Sequence, residues 1–176
     1  MLILAVLLAL VLGWCTGGRL ARLEELELRM LWLPVAAILL QRLTVAPWAL
    51  LLSYLLLLLF CLCNRRLRKS ALCLAAGSLC NLVVIAANSW RMPVAAWALD
   101  HLSPTVAEAL LAGQIPMYAA AGPDTRLLFL GDVIYCPIPL IGGFASVGDL
   151  LLMAGVFFCV LAIMAPPRLP RALCSG

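Results

Sequence analysis

The side chains that could do chemistry in this sequence are few, and they gather between Ser78 and Asp149. Ser78, Asn81 and Asn88 stand at offsets 0, 3 and 10, which is one face of an α-helix, and Arg91-Met92-Pro93 follows at once. Amides on an apolar helix either bond to a neighbouring helix or line a ligand cavity, and an arginine beside them suits a phosphate. Asp132 lies in the apolar stretch from Phe129 to Gly143, with no helix N-terminus to account for it, so it is a candidate ligand or acid–base group. Asp149 has a structural explanation. Ser146-Val147-Gly148-Asp149 precedes an apolar run and reads as a capping box, with the carboxylate at the positive end of the helix. The candidate ligand-binding residues are therefore Asn81, Asn88, Arg91 and Asp132, and Ser146 and Asp149 form a structural cap. Arg91 and Asp132, each a charge in apolar surroundings, are expected to pair over the mouth of the bundle.

The residues that are missing bound the chemistry further. His101 is the one histidine, so no histidine pair or triad exists, and there is no Cys-x-x-Cys pair or Cys/His cluster. No catalytic residue is assigned, and no metal or cofactor is expected. Cys61, Cys63, Cys73, Cys80 and Cys159 lie in or beside apolar runs, where cysteine packs as a small apolar side chain.

The elements that must carry these residues are membrane helices. Hydrophobic residues make up 66% of the chain and charged ones 11%, and runs such as LLLSYLLLLLFCLC are typical of a bilayer span. Charge placement then orients the chain. Asn64 to Lys69 holds four basic residues in one short connection, which belongs in the cytoplasm. The linker with Arg19, Arg22 and Arg29 and the tail with Arg168 and Arg171 fall on that same side, leaving Arg42, Arg91 and Arg126 outside. The net charge of +4 therefore reports topology, and a nucleic-acid partner is not expected.

The expected fold is an all-α membrane protein, one bundle over residues 1–176, with about five transmembrane helices near 2–15, 31–44, 47–63, 70–88 and 148–165. Its N-terminus is out and its C-terminus in. The first apolar run lacks a basic start and an Ala-x-Ala site, so it reads as an uncleaved helix. The second is short for a span and either crosses or folds back as a shallow hairpin. The linker Arg19 to Arg29 reads as a short interfacial helix or a solvated turn. On the third helix, Tyr54 and the leucines are expected to meet lipid, while the Ser78, Asn81 and Asn88 face of the fourth packs inward. The outer region, 91–147, holds six of the eleven prolines. Within it, Val94 to Leu102 reads as a surface helix, Ser103-Pro104 as the cap and start of a helix through Ala112, and Phe129 to Gly143 as a lid or re-entrant segment.

Asn88-x-x-Arg91-Met92-Pro93, Phe129-Leu130-Gly131-Asp132, Gly148-Asp149 and the early Gly17-Gly18-Arg19-Leu20 together resemble the bacterial family of small multipass membrane proteins called domain of unknown function 5317. Where that family's pattern has a glycine before Arg-Met-Pro, this chain has Trp90. The resemblance implies a multipass protein of the bacterial inner membrane and brings no activity with it.

Read by function, the chain is a small integral membrane protein, a binding or accessory module with a polar site at the outer face, facing a lipid headgroup or a membrane protein partner. The alternative is a membrane-embedded enzyme acting on a lipid-linked or phosphate-bearing substrate, with Asp132 as acid–base group and Arg91 on the phosphate. A small transporter would call for inverted repeats, and the two halves of this chain do not look alike.

Overall fold

Five apolar helices run side by side and carry a cap of short strands and turns at one end. The computed structural model describes residues 2–20, 28–137 and 143–170. The helices are α1 (Leu2–Cys15), α2 (Trp32–Leu43), α3 (Pro47–Cys63), α4 (Arg68–Ala87), the short α5 (Pro104–Leu111) and α6 (Val147–Met164). Proline opens α3 and α5 at the first turn, where its missing N–H costs nothing. The α6 helix opens on the capping box of Ser146 and Asp149 and closes at Ala165, in the left-handed region, before Pro166-Pro167.

Among the described residues two helices, α4 with 20 residues and α6 with 18, are long and apolar enough to cross a membrane. At about 1.5 Å per residue they reach roughly 30 and 27 Å. The other three members of the bundle have 14, 12 and 17 residues and are shorter than a full span.

The main pairings run α2–α3–α4–α6–α1. The α4–α6 contact is the closest because small residues face each other across it. A Cβ on Gly77 would lie 2.6 Å from the carbonyl oxygen of Gly148, and Ser70 Oγ donates to the carbonyl of Gly155 at 2.8 Å. Ser78 is fully buried in α4, and among the described residues its hydroxyl has no hydrogen-bond partner. The α2–α3 hairpin is clasped by Gln41 Nε2, which donates to Ser53 Oγ at 2.7 Å. Tyr54 does not meet lipid as expected. It is buried with Leu50, Val84, Ile85 and Met92, because α3 turns this face toward α4 and the first strand.

The basic segments meet at the end opposite the cap. Asn64 accepts from the backbone N–H of Arg29 at 2.9 Å and donates to its carbonyl at 2.8 Å, which ties the linker to the loop after α3. The N–H of Arg19 reaches the carbonyl of Met164 at 3.1 Å, so α1 and α6 finish side by side. Most of the interfacial helix expected for Arg19 to Arg29 lies outside the described residues.

At the other end the chain departs from an all-helical plan. Strand β1 (Met92–Val94) pairs in parallel with β2 (Tyr118–Ala120), and β3 (Ile134–Cys136) pairs antiparallel with β4 (Gly143–Ala145). The surface helix expected from Val94 to Leu102 is a 3₁₀ turn over Ala96–His101. Ser103 precedes α5 in extended conformation, but its side chain makes no cap hydrogen bond, contrary to the Ser-Pro reading. The proline-punctuated lid is a 3₁₀ turn at Leu128–Leu130 followed by the β3–β4 hairpin, and residues 138–142 of it lie outside the described residues.

Candidate functional site

The structure separates the four sequence candidates into three places: Asn81 at the start of α6, Asp132 on one side of the β1–β2 ribbon, and Asn88 with Arg91 on the other. Asn81 joins the start of α6. Its Nδ2 donates to Asp149 Oδ1 at 2.9 Å, and its Oδ1 accepts from Ser146 Oγ at 2.9 Å. Ser146 and Asp149 close their own reciprocal box, with Ser146 N donating to Asp149 Oδ2 at 3.0 Å and Asp149 N to Ser146 Oγ at 2.9 Å. The helix start and the α4 amide thus form one hydrogen-bonded network, and Asn81 is held as an internal tie.

Asp132 lies near this network and opens onto a different space. Its backbone continues the ribbon: Asp132 N donates to the carbonyl of Pro93 at 2.9 Å, and Ala95 N donates to the carbonyl of Asp132 at 3.1 Å. That bridge sets Asp132 beside Val94, and both line a cavity of about 270 Å³. Among the described residues the rest of its lining is Leu102, Val106, Leu110, Ile115, Tyr118 and Phe144, which is apolar apart from one phenol. Asp132 is 6% exposed, and among the described residues no donor or cation bonds to its carboxyl. Burial, and after it the negative charge of Asp149, push this carboxyl up from the ordinary carboxylate range to about 7.

One rim of the cavity is a cluster of rings. His101 lies 4.4 Å from Tyr135 and 5.7 Å from Trp97, ring centre to ring centre, and Phe144 joins it to the cavity wall. The single histidine is thus occupied in holding the hairpin against the Ala96–His101 turn.

On the far side of the ribbon, Asn88 and Arg91 face an open cleft together with Arg126. Arg91 Nη1 makes one long contact, 3.4 Å to the carbonyl of Gly113. It is not paired with Asp132. The reason lies in strand alternation: Pro93 lines the cleft with Arg91, two residues before it, whereas Val94 lines the cavity with its bridge partner Asp132.

Sequence reasoning did not single out Tyr118, Arg126 or the apolar lining. Tyr118 opens the short strand β2 and Arg126 sits in a loop, their pairing partners are 26 and 38 residues away, at Met92 and Asn88, and no local pattern signals such contacts. Among the described residues no cluster of histidine, cysteine or acidic groups could hold a metal ion.

No curated protein and no solved structure matches this chain. The sequence model for a family of unknown function, DUF5317, matches residues 25–161. The motifs singled out around Arg91, Asp132 and Asp149 all fall in that span, and the chain belongs to this family.

Proposed function

We propose that this protein is a multipass membrane protein whose outer cap binds a small molecule with an apolar body and a cationic head, the head on Asp132. The observation that carries this is a buried carboxyl, without a cation among the described residues, on the wall of an otherwise apolar cavity. A carboxylate in such surroundings is costly alone, and a ligand ammonium supplies the missing partner. An apolar cavity with one convergent polar group is the usual form of a small-molecule site.

Several features support the membrane setting. Large apolar side chains are exposed along the helices, among them Leu7, Val11, Ile38, Leu55, Leu59, Leu72 and Leu79, which fits a lipid-facing belt. The ends that carry Arg19, Arg29 and the Asn64 to Lys69 loop gather together, which fits five crossings with the N-terminus out and the C-terminus in. The shorter helices then cross by locally thinning the bilayer. The enzyme reading needs Arg91 to hold a phosphate within reach of Asp132, and those residues line different cavities.

Native mass spectrometry of the detergent-solubilised protein with octylamine, octanol and octanoic acid tests the proposal. Octylamine should bind best, and Val106→Trp, which fills the cavity, should abolish its adduct. Equal adducts with all three compounds, unchanged by Val106→Trp, would contradict it.

A further inference from the structure

The cleft on the other face of the β1–β2 ribbon is built around two guanidinium groups. Asn88, at the end of α4, uses both atoms of its amide on the backbone of Arg126. Its Nδ2 donates to the Arg126 carbonyl at 2.8 Å, and its Oδ1 accepts from the Arg126 N–H at 2.9 Å. A second bond from the same Nδ2 to the carbonyl of Val84, at 2.8 Å, holds the amide in place. The loop that carries Arg126 is therefore pinned to the end of α4, as one strand would be to another.

Arg91 reaches the same cleft by a strained route. Ser89 and Trp90 both adopt left-handed backbone, with φ of 54° and 62°, a conformation in which a side chain crowds the following carbonyl oxygen. The turn is closed by Trp90 N donating to the carbonyl of Ile85 at 2.9 Å and by Arg91 N donating to the carbonyl of Asn88 at 3.1 Å. It reverses the chain at the end of the helix and delivers Arg91 to the cleft that Arg126 lines.

Among the described residues neither guanidinium is used up. Arg91 makes its one long contact to Gly113, and Arg126 makes no side-chain hydrogen bond or ion pair among the described residues. Asp124 also lines the cleft without pairing to either arginine, so one net positive charge remains there. Two planar forks on one cleft suit a tetrahedral anion with several acceptor oxygens.

We infer that the Arg91–Arg126 cleft binds a phosphate group, with Asn88 as the positioning residue and Asp124 as a brake on affinity. The phosphate is that of a lipid headgroup or of a free phosphate ester. The site is distinct from the Asp132 cavity, and its chemistry does not depend on what that cavity binds.

The test uses the full chain in an uncharged detergent, titrated with dihexanoyl phosphatidic acid and, separately, with inorganic phosphate. Arg91→Ala and Arg126→Ala should each weaken binding of the phosphatidic acid by about tenfold or more, the loss expected of one charge-assisted hydrogen-bonding group. Arg126→Lys should weaken it less than Arg126→Ala, because the charge stays and the fork is lost. Asp124→Asn should tighten binding, and this gain remains readable if an arginine variant folds poorly. Binding of phosphatidic acid without inorganic phosphate identifies a lipid headgroup, and equal binding of both identifies the free anion. Unchanged affinity in an Arg91→Ala/Arg126→Ala double variant that unfolds at the wild-type temperature, or weaker binding in Asp124→Asn, would overturn the inference.

Discussion

Asn81 Nδ2 donates to Asp149 Oδ1 across 2.9 Å, so the cap of α6 is completed by a residue of α4, 68 positions away. A capping box ordinarily satisfies itself, and here its acid and its hydroxyl both also reach the neighbouring helix. The start of one membrane-length helix is therefore locked to the middle of the other. Replacing Asn81 with leucine keeps the bulk and removes both bonds, and should lower stability by about 1–3 kcal/mol, the usual cost of stranding buried polar partners. Thermal unfolding in detergent measures it. A change of less than about 0.5 kcal/mol, typical of a surface substitution, would mean that the tie is incidental.

Gly148 makes that tie possible. A Cβ placed there would collide with Asn81 Oδ1 and lie 2.8 Å from the carbonyl of Gly77. Gly148→Ala should therefore push α4 and α6 apart and destabilise the protein by about 1–3 kcal/mol, an overpacking cost. An alanine variant that unfolds with wild-type stability would show that the helices have room to spare.

The raised Asp132 carboxyl makes stability depend on pH. Because the folded value of about 7 lies above the unfolded one, the protein holds this proton more tightly when folded. Its contribution is fully present below about pH 4, where the unfolded group is also protonated, and is lost as pH rises through 7. Unfolding followed from pH 4 to 8 should show stability falling by up to about 1.4 kcal/mol per unit in that window. Asp132→Asn should flatten the profile and be more stable than wild type at pH 8. An identical slope in both proteins would place the titration elsewhere.

Reporter fusions address the membrane crossing. A fusion after Arg68 should read cytoplasmic and one after Gly122 external, because the two lie at opposite ends of α4. Readings on the same side would remove the proposed topology.

Several elements were readable from local pattern alone. Leucine runs, Pro47 and the Ser146-x-x-Asp149 box place α1, α3 and α6 within a residue of where they lie, since each rests on hydrophobic length or on a cap a few residues away. The inward face of α4 followed from helical spacing, and Ser78 and Asn81 are buried on it. What was not readable depends on distant pairing. Three-residue strands carry too little alternation to announce themselves, so the sequence hides the ribbon that separates Arg91 from Asp132 and leaves the two charges looking like a pair. Tyr54 stands among leucines and so reads as lipid-facing, whereas its burial comes from packing on Val84 and Ile85 of α4, a contact no local pattern signals. Trp90 is the opposite case: its left-handed backbone is one that glycine adopts without strain, and nothing in the residue type announces it.

The most direct test of the cationic-ligand proposal is the affinity for octylamine as a function of pH, by calorimetry in nanodiscs corrected against empty nanodiscs. An ammonium needs Asp132 ionised, so affinity should rise by about tenfold per pH unit below 7 and level off above it. In Asp132→Asn that rise should vanish and affinity should be low throughout. A wild-type affinity that is flat from pH 5 to 8, or that Asp132→Asn leaves unchanged, would contradict the assignment of Asp132 as the group that receives the ligand's head.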